Sequence, residues 1–309
     1  MKIKTLINSF KDKEAFLFAL VLGLNWLFPD KLYCKLLYRI RIGRRLNLKN
    51  PVSYNEKLQW LKLYYRKPEY TDLVDKYEVK KHIERLIGKE YVIPTLGVWD
   101  RVEDIDWDAL PKQFVLKTTS GSGSSGVVVC TDKESLDKDR AVARLKQSME
   151  YDVYKRLREW PYKNIKKRII AEEYITDGSG DGLRDYKFYC FDGVPKIMLL
   201  ITERELGGNA MCDYYDMDFN HLPFTWAYPN SNNPVTAPPV NFDKMKELAS
   251  VLSRGIPQVR VDLYNVGGHI YFGELTFYHG SGLCKFDPYE WDVKMGNWIT
   301  LPENKIISK

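Results

Sequence analysis

The chain is 309 residues long with a formal charge of +6, and 44% of it is apolar and 28% charged, the balance of a folded soluble protein with two or three lobes. Seven cations (Lys31, Lys35, Arg39, Arg41, Arg44, Arg45, Lys49) sit in one stretch that holds no acid, so the remainder of the chain is close to neutral. That concentration excludes a general nucleic-acid binder, whose positive charge would spread over a whole surface.

In chain order, the apolar stretch Ala15–Phe28 comes first. It covers about 14 residues, short of the roughly 20 that cross a bilayer. With the basic segment behind it, where Leu32, Leu36, Leu37 and Ile40 recur at helical spacing, it reads in two ways. One is a helix pair packed on the core with a solvated charged face; the other is an interfacial helix lying on anionic lipid. The five cysteines form no CxxC pair and no small-residue cleavage site follows the apolar run, which predicts a reduced, cytosolic protein, peripheral on the inner face of the membrane if the helix is interfacial.

Ser53 and Glu56 form a capping box that predicts a helix over Tyr54–Tyr65. Pro68 interrupts it, and a second helix is expected from about Thr71 to Gly88, followed by extended chain over Tyr91–Trp99. A strand Phe114–Lys117, a glycine loop Thr118–Gly126 and a strand Val127–Cys130 come next. Thr131 and Glu134 predict a capped helix running to about Trp160, then a strand over Arg168–Ile175. Beyond these lie a hairpin turning at Asp192-Gly193, a Pro/Asn-rich loop at Tyr228–Pro239, a helix over Phe242–Ser253, and a hairpin of Gln258–Tyr264 with His269–Thr276. Hairpins mixed with helices predict α+β architecture with largely antiparallel sheets.

Three segments carry chemistry. The loop Thr118–Gly126 exposes consecutive amides, with glycines at 121, 123 and 126, and Lys117 ends the strand before it. A second strand follows the loop, whereas a P-loop or a dinucleotide fingerprint needs a helix there; a hairpin lid over phosphates remains, against the plain reading of a flexible linker. Next, Arg260 and Asp262 share one strand face, as do Glu274 and Thr276 on the partner strand. Paired register would bring two carboxylates, a hydroxyl and a guanidinium together, suited to Mg²⁺ beside a phosphate; the same residues also suit a simple Arg260–Glu274 salt bridge. Last, Ala171-Glu172-Glu173-Tyr174-Ile175 places acids at the end of an apolar strand, either functional or merely solvated.

Taken in order, FVLKTTSGSGSSGVVV, AEEYI, DYKFYCFDG, RVDLY and GELTFYHGSG resemble the ATP-grasp superfamily. With NEKLQWLKLYY, DKYEVKKHI and LPKQFVLK, the chain is similar to the TupA-like branch associated with teichuronopeptide and other bacterial surface polysaccharides, over about Pro51 to Pro302. The resemblance implies an ATP-grasp fold: a helical N-terminal region and pre-grasp lobe over 1–98, a lid lobe over 99–172 and a core lobe over 173–309. It implies ATP with Lys117 and Lys187 on its phosphates and Ser120, Gly121, Ser122, Gly123, Ser124 and Gly126 closing over them. Glu172, Glu173, Tyr174 and Ile175 would meet adenine, Asp262, Glu274 and Thr276 would hold Mg²⁺, and Arg260 and Lys117 would serve catalysis. Thr276 stands where many ATP-grasp ligases have asparagine, a better metal ligand.

The implied reaction is ATP-dependent ligation of a carboxylate to an amine through an acyl phosphate, with a uronic acid of a surface glycan and an amino acid as partners and no nucleic acid. Trp226, Tyr228, Tyr278, Trp291 and Trp298 are candidates for stacking on a sugar, or core residues. The alternative activity is a glycosyltransferase using a nucleotide sugar, since Asp216-Met217-Asp218 and Asp106-Trp107-Asp108 both match DxD. A non-catalytic membrane-docked scaffold is the third class, and His279 is the best candidate for a general base.

Overall fold

The computed structural model describes residues 13–121, 123, 125–178, 183–202, 211–226 and 228–307. Two antiparallel sheets carry the molecule. The first has the order β1-β4-β2-β3, from Thr95–Trp99, Ile169–Glu173, Phe114–Thr118 and Val127–Cys130. The second has the order β10-β9-β5-β6-β7, from His269–Thr276, Val259–Val266, Asp185–Phe191, Val194–Thr202 and Met211–Tyr215. A two-stranded piece pairs β8, Thr225–Trp226, with β11, Phe286–Asp287. Among the described residues every pairing between these strands is antiparallel, as the hairpin-rich sequence predicts.

Period-two alternation divides each sheet into an apolar face and a face left for chemistry. In the first sheet Phe114, Leu116, Val128, Cys130, Ile169 and Ala171 bury against Ala141 and Leu145 of a helix at Lys138–Glu150. In the second, Phe188 and Cys190 lie under the helix Phe242–Ser253, where Phe242 meets Phe188 at 6.0 Å between ring centres and the Cys190 thiol reaches the Ala249 carbonyl. Each fully buried Phe or Leu in these layers contributes about 1.5–3 kcal/mol. The turns follow their residues: Asp192 and Gly193 have φ of 47° and 82°, and Gly267 and Gly268 close the last hairpin at 58° and 91°.

The N-terminal part of the chain is helical, and further helices lie between and after the strands. We number them α1 (Lys13–Gly23), α2 (Asp30–Ile42), α3 (Tyr54–Tyr64), α4 (Tyr70–Val74), α5 (Glu78–Leu86), α6 (Lys138–Glu150), α7 (Val153–Leu157), α8 (Phe242–Ser253) and α9 (Glu290–Asn297). The Ser53–Glu56 capping box of α3 is present in both directions. Buried Asn55 ties α3 to Asp292 of α9 at 2.9 and 3.0 Å.

Two helices differ from the sequence expectation. The one expected from Thr71 to Gly88 is broken at Asp75, whose carboxylate accepts from the amides of Tyr77 (2.8 Å) and Glu78 (3.2 Å) and so caps a new helix, α5. The one expected from Thr131 starts only after Asp137, whose carboxylate accepts from the Arg140 amide at 2.9 Å, and it stops at Tyr151. A second short helix, α7, then starts from Asp152. Glu134 instead lies inside a 3₁₀ turn, Lys133–Ser135, with Thr131 before it, because the Lys133 amide donates to the Lys112 carbonyl and holds this segment against the neighbouring strand end. The strand expected over Arg168–Ile175 runs only from Ile169 to Glu173, leaving Tyr174 and Ile175 half-buried beyond its end.

Candidate active site

The second sheet presents its charged residues in rows across β5, β9 and β10. Register sets Lys187 opposite Asp262 and Asp262 opposite Glu274; the next row aligns Tyr189, Arg260 and Thr276. A bulge between Phe272 and Glu274 keeps Glu274 and Thr276 on the same face as Arg260 and Asp262. Arg260 is buried and forks onto Asp262, with Nε to Oδ1 at 2.6 Å and one terminal nitrogen to Oδ2 at 2.7 Å. It also reaches Glu274 Oε1 at 3.2 Å and Thr276 Oγ1 at 3.0 Å, so the cross-strand salt bridge and the convergent carboxylates exist together. Lys187 contacts Asp262 and lies 3.0 Å from Asp185.

Electrostatics in this row are tightly compensated. Burial pushes the Glu274 carboxyl up, but Lys76, Lys187 and Arg260 outweigh it and bring the group down to about 2. Burial drives Asp262 above its ordinary value while Arg260 and Lys187 act against that push. His279 is held well below the usual histidine range, first by burial and then by Arg260 and Lys187. Its Nδ1 faces the Arg260 guanidinium at 2.5 Å and therefore accepts, which leaves a neutral imidazole fixed against Trp226 and poorly suited to act as a general base.

On the first sheet, β2 and β4 align Val115 with Glu172, which sets Lys117 diagonally beside Glu172 on the same face. Buried Glu172 is gripped by Lys117 and Lys80, each at 2.5 Å. Burial acts to raise Glu172, and the two ammonium groups outweigh it and keep it ionised. The glycine loop is pinned at its base: the Thr118 amide donates to the Gly126 carbonyl at 3.0 Å, and the Thr118 and Ser148 hydroxyls meet at 2.7 Å. A methyl at Gly121 or Gly126 would press on that hydroxyl pair, whereas Gly123 sits in open space with φ +63°. The base glycines are thus required by close packing and the tip glycine by its backbone. Ser120 Oγ is buried at the loop entrance with no hydrogen-bond partner among the described residues. Ser122 and Ser124 lie outside the described residues.

Lys76 joins the two constellations. It stands between α4 and α5 and donates to the Gly121 carbonyl at 2.5 Å, and its ammonium lies 3.7 Å from Glu274 Oε2. A single pocket is lined by Lys76, Lys80, Val92, Ile93, Lys117, Glu172, Phe272 and Gly273, so both sheets contribute to one cleft with the α4–α5 turn as its third wall. Arg168 fixes that turn through Asp75 at 3.0 Å and Glu78 at 2.9 Å. Lys76, Lys80, Asp75 and Arg168 were not among the expected site residues. The sequence signals for three of them are the DKYEVKKHI segment of the family resemblance and, within it, the four-residue spacing of Lys76 and Lys80.

Other expectations resolve differently. Trp226 is fully buried among Tyr54, Tyr189 and Phe286, and Tyr278 is buried as well, so both are core residues and cannot stack on a sugar; Tyr228 is exposed. Asp216 spends its carboxylate on the amides of Asp218 and Asn220 and on the Asn220 side chain, which makes it a turn residue and not a metal ligand. Asp106 likewise caps an exposed turn at Ala109. Among the described residues no cluster of three or more His, Cys, Asp or Glu side chains is arranged to hold a metal.

The comparisons with known proteins bear on this geometry. The D-alanine–D-alanine ligase of Bacillus anthracis is 18% identical, with 73% of this chain and 60% of that one covered and a TM-score of 0.39. The ATP-grasp ligase PsnB with its minimal precursor is 14% identical, covering 69% of this chain and 55% of that one, at 0.39. The D-alanine–D-alanine ligase of Helicobacter pylori is 15% identical, covering 82% and 68%, at 0.46. The chain therefore spans a little over half the length of the first two. No curated protein matches it. The profile of the TupA-like ATP-grasp family matches residues 56–300, which takes in both sheets, the α4–α5 turn and every residue of the cleft. The chain belongs to the TupA-like ATP-grasp family and has the ATP-grasp fold.

Proposed function

We propose that the protein is an ATP-dependent carboxylate–amine ligase, acting through an acyl phosphate on a uronic acid of a bacterial surface polysaccharide and joining it to an amino acid. One observation carries the nucleotide half of this reading: Lys76 touches both the glycine loop and Glu274, so the two charged groups share one cleft. The glycan and the amino acid rest on membership of the TupA-like family.

The residues suit a magnesium nucleotide. Val92, Ile93 and Phe272 give the pocket apolar walls, Lys80 and Lys117 give it cations, and the orphaned Ser120 hydroxyl can take a phosphate oxygen. Glu173, Tyr174 and Ile175, just past Glu172 at the end of β4, are assigned to the adenine edge, while Glu172 orients Lys80 and Lys117. Across the rows, three cations (Lys76, Lys187, Arg260) face three carboxylates (Asp185, Asp262, Glu274). With Lys76 and Lys187 turned toward a bound triphosphate, Glu274, with Asp262 and Thr276 beside it, would hold Mg²⁺ as hard oxygen ligands. Bound there, the ion supplies charge neutralisation for the transferring phosphoryl group.

The chain's own groups position and neutralise. A substrate carboxylate oxygen attacks the γ-phosphorus, the bond to the β-phosphate oxygen breaks and ADP leaves. The amine then attacks the acyl carbon and inorganic phosphate departs. Lys117 and Lys80 hold the phosphates that stay with ADP, and Arg260, locked by Asp262, faces the charge that develops in transfer. The test is nucleotide product analysis with the purified protein, Mg·ATP and a panel of uronates and amino acids. ADP formation that requires both partners, with an amide detected by mass spectrometry, is expected. AMP as the product would contradict the acyl-phosphate route.

A further inference from the structure

Helix α1 poses a problem that the nucleotide cleft does not solve. Eight of its eleven residues are apolar (Ala15 to Leu22), yet none of them is buried. Its inner side, Phe18, Val21 and Leu22, leans on the small core around Tyr33, Cys34, Leu37 and Tyr38. Leu17 and Leu20 lie on the outside of α1 about one turn apart and are exposed, and in the turn that follows, Asn25–Leu27, Leu27 is exposed and Trp26 is 75% exposed. Exposed apolar side chains clustered in this way need a cover.

The neighbouring helix indicates which cover. Lys31, Lys35 and Arg39 follow one another at intervals of one turn along the outside of α2, all exposed, with exposed Leu32 beside them. Arg44 and Arg45 extend the positive charge past its end. Among the described residues no carboxylate pairs with Lys31, Lys35, Arg39, Arg44 or Arg45, and the segment 31–49 contains no acid. Leucines, a tryptophan and a row of unneutralised cations on two adjoining helices complement the acyl boundary and anionic headgroups of a lipid surface. A protein partner would need a dense acidic patch around an apolar one. Eleven residues of helix reach only about 16 Å, half the hydrocarbon thickness of a bilayer, and no helix among the described residues is long and apolar enough to cross it.

We infer that α1 and α2 form a peripheral docking surface for anionic lipid, with Leu17, Leu20, Trp26 and Leu27 entering the interface and Lys31, Lys35 and Arg39 meeting the headgroups. The inference stands apart from the ligase reading, since it uses no residue of the cleft.

Cosedimentation of the full chain with vesicles tests it, comparing phosphatidylcholine alone with phosphatidylcholine containing phosphatidylglycerol, at low and high NaCl. The expected result is a partition coefficient at least about tenfold higher on the anionic vesicles, falling as salt rises. Lys31→Glu with Lys35→Glu and Arg39→Glu should lower it on the order of a hundredfold or more. Leu17→Asp with Leu20→Asp should lower it as well, with circular dichroism and Mg·ATP affinity unchanged. Equal partition on both vesicle types would overturn the inference. So would absence of binding together with a dimer, seen by sedimentation equilibrium, that Leu17→Asp/Leu20→Asp dissociates. If the charge-reversed protein does not fold, the salt series on the native chain decides the question.

Discussion

Lys76 sits in no phosphate-binding motif, yet its ammonium is the group that reaches the loop and the acid row together. Replacing it with methionine keeps the apolar stem and removes the bridge, so the Michaelis constant for ATP should rise about tenfold while the urea midpoint stays nearly fixed. Lys117→Ala should do more, weakening Mg·ATP binding by about 2–3 kcal/mol in a calorimetric titration, because it also leaves buried Glu172 with one cation in place of two. Glu274 gives a prediction in pH. Its folded value of about 2 lies below the ordinary 4.5, so its contribution to stability is complete above about pH 4.5 and is lost as pH falls toward 2. Urea midpoints measured across that window should fall in the native protein and fall less steeply in Glu274→Gln. At this scale strand alternation pointed to Arg260 with Asp262 and to Glu274 with Thr276, the strand end before the glycine loop pointed to Lys117, and Lys187 came only with the family resemblance. The sequence hid Lys76, Asp75 and Arg168, whose partners lie far away in the chain, and it left Trp226 open because exposure is set by packing that no local pattern encodes.

Among the elements, the turn at Asp75 and the base of the glycine loop matter most. Asp75 is buried, caps α5 and binds Arg168, so Asp75→Ala should destabilise the fold by about 2–4 kcal/mol in urea and, by loosening the turn that carries Lys76, lower ATP affinity as well. The glycines of the loop should separate in the same assay. Gly126→Ala must displace the Thr118–Ser148 hydroxyl pair and is expected to cost about 1–3 kcal/mol, whereas Gly123→Ala costs about 1 kcal/mol for its left-handed backbone alone. Local chemistry made several elements legible: the Ser53–Glu56 box fixed the start of α3, and Asp192-Gly193 fixed a hairpin turn. Where a side chain served a distant partner the reading slipped. Asp75 looked like a helix-interior residue until Arg168 came beside it. The strand Met211–Tyr215 was missed because Asp213 breaks its apolar alternation, and that carboxylate is buried on His221 and the Ser231 amide, 3.0 and 3.2 Å away.

For the molecule as a whole, two antiparallel sheets turn their charged faces to a common cleft while their apolar faces bury against α6 and α8. The α4–α5 turn closes the third side, and the family profile spans all three walls. This arrangement was legible in outline, because the hairpins predict antiparallel sheets and the ordered motifs predict the family. The third wall was not, since it depends on ion pairs between residues about ninety positions apart in sequence. The claim on which the ligase reading depends is that one triphosphate spans the cleft. A structure of the protein with Mg²⁺ and a non-hydrolysable ATP analogue tests it most directly. Phosphates in contact with Lys117 and the glycine loop at one end, and with the Asp262–Glu274 row at the other, with Lys76 drawn off Glu274, are the predicted result. A nucleotide that touches only one of the two groups, or binds elsewhere, would contradict it.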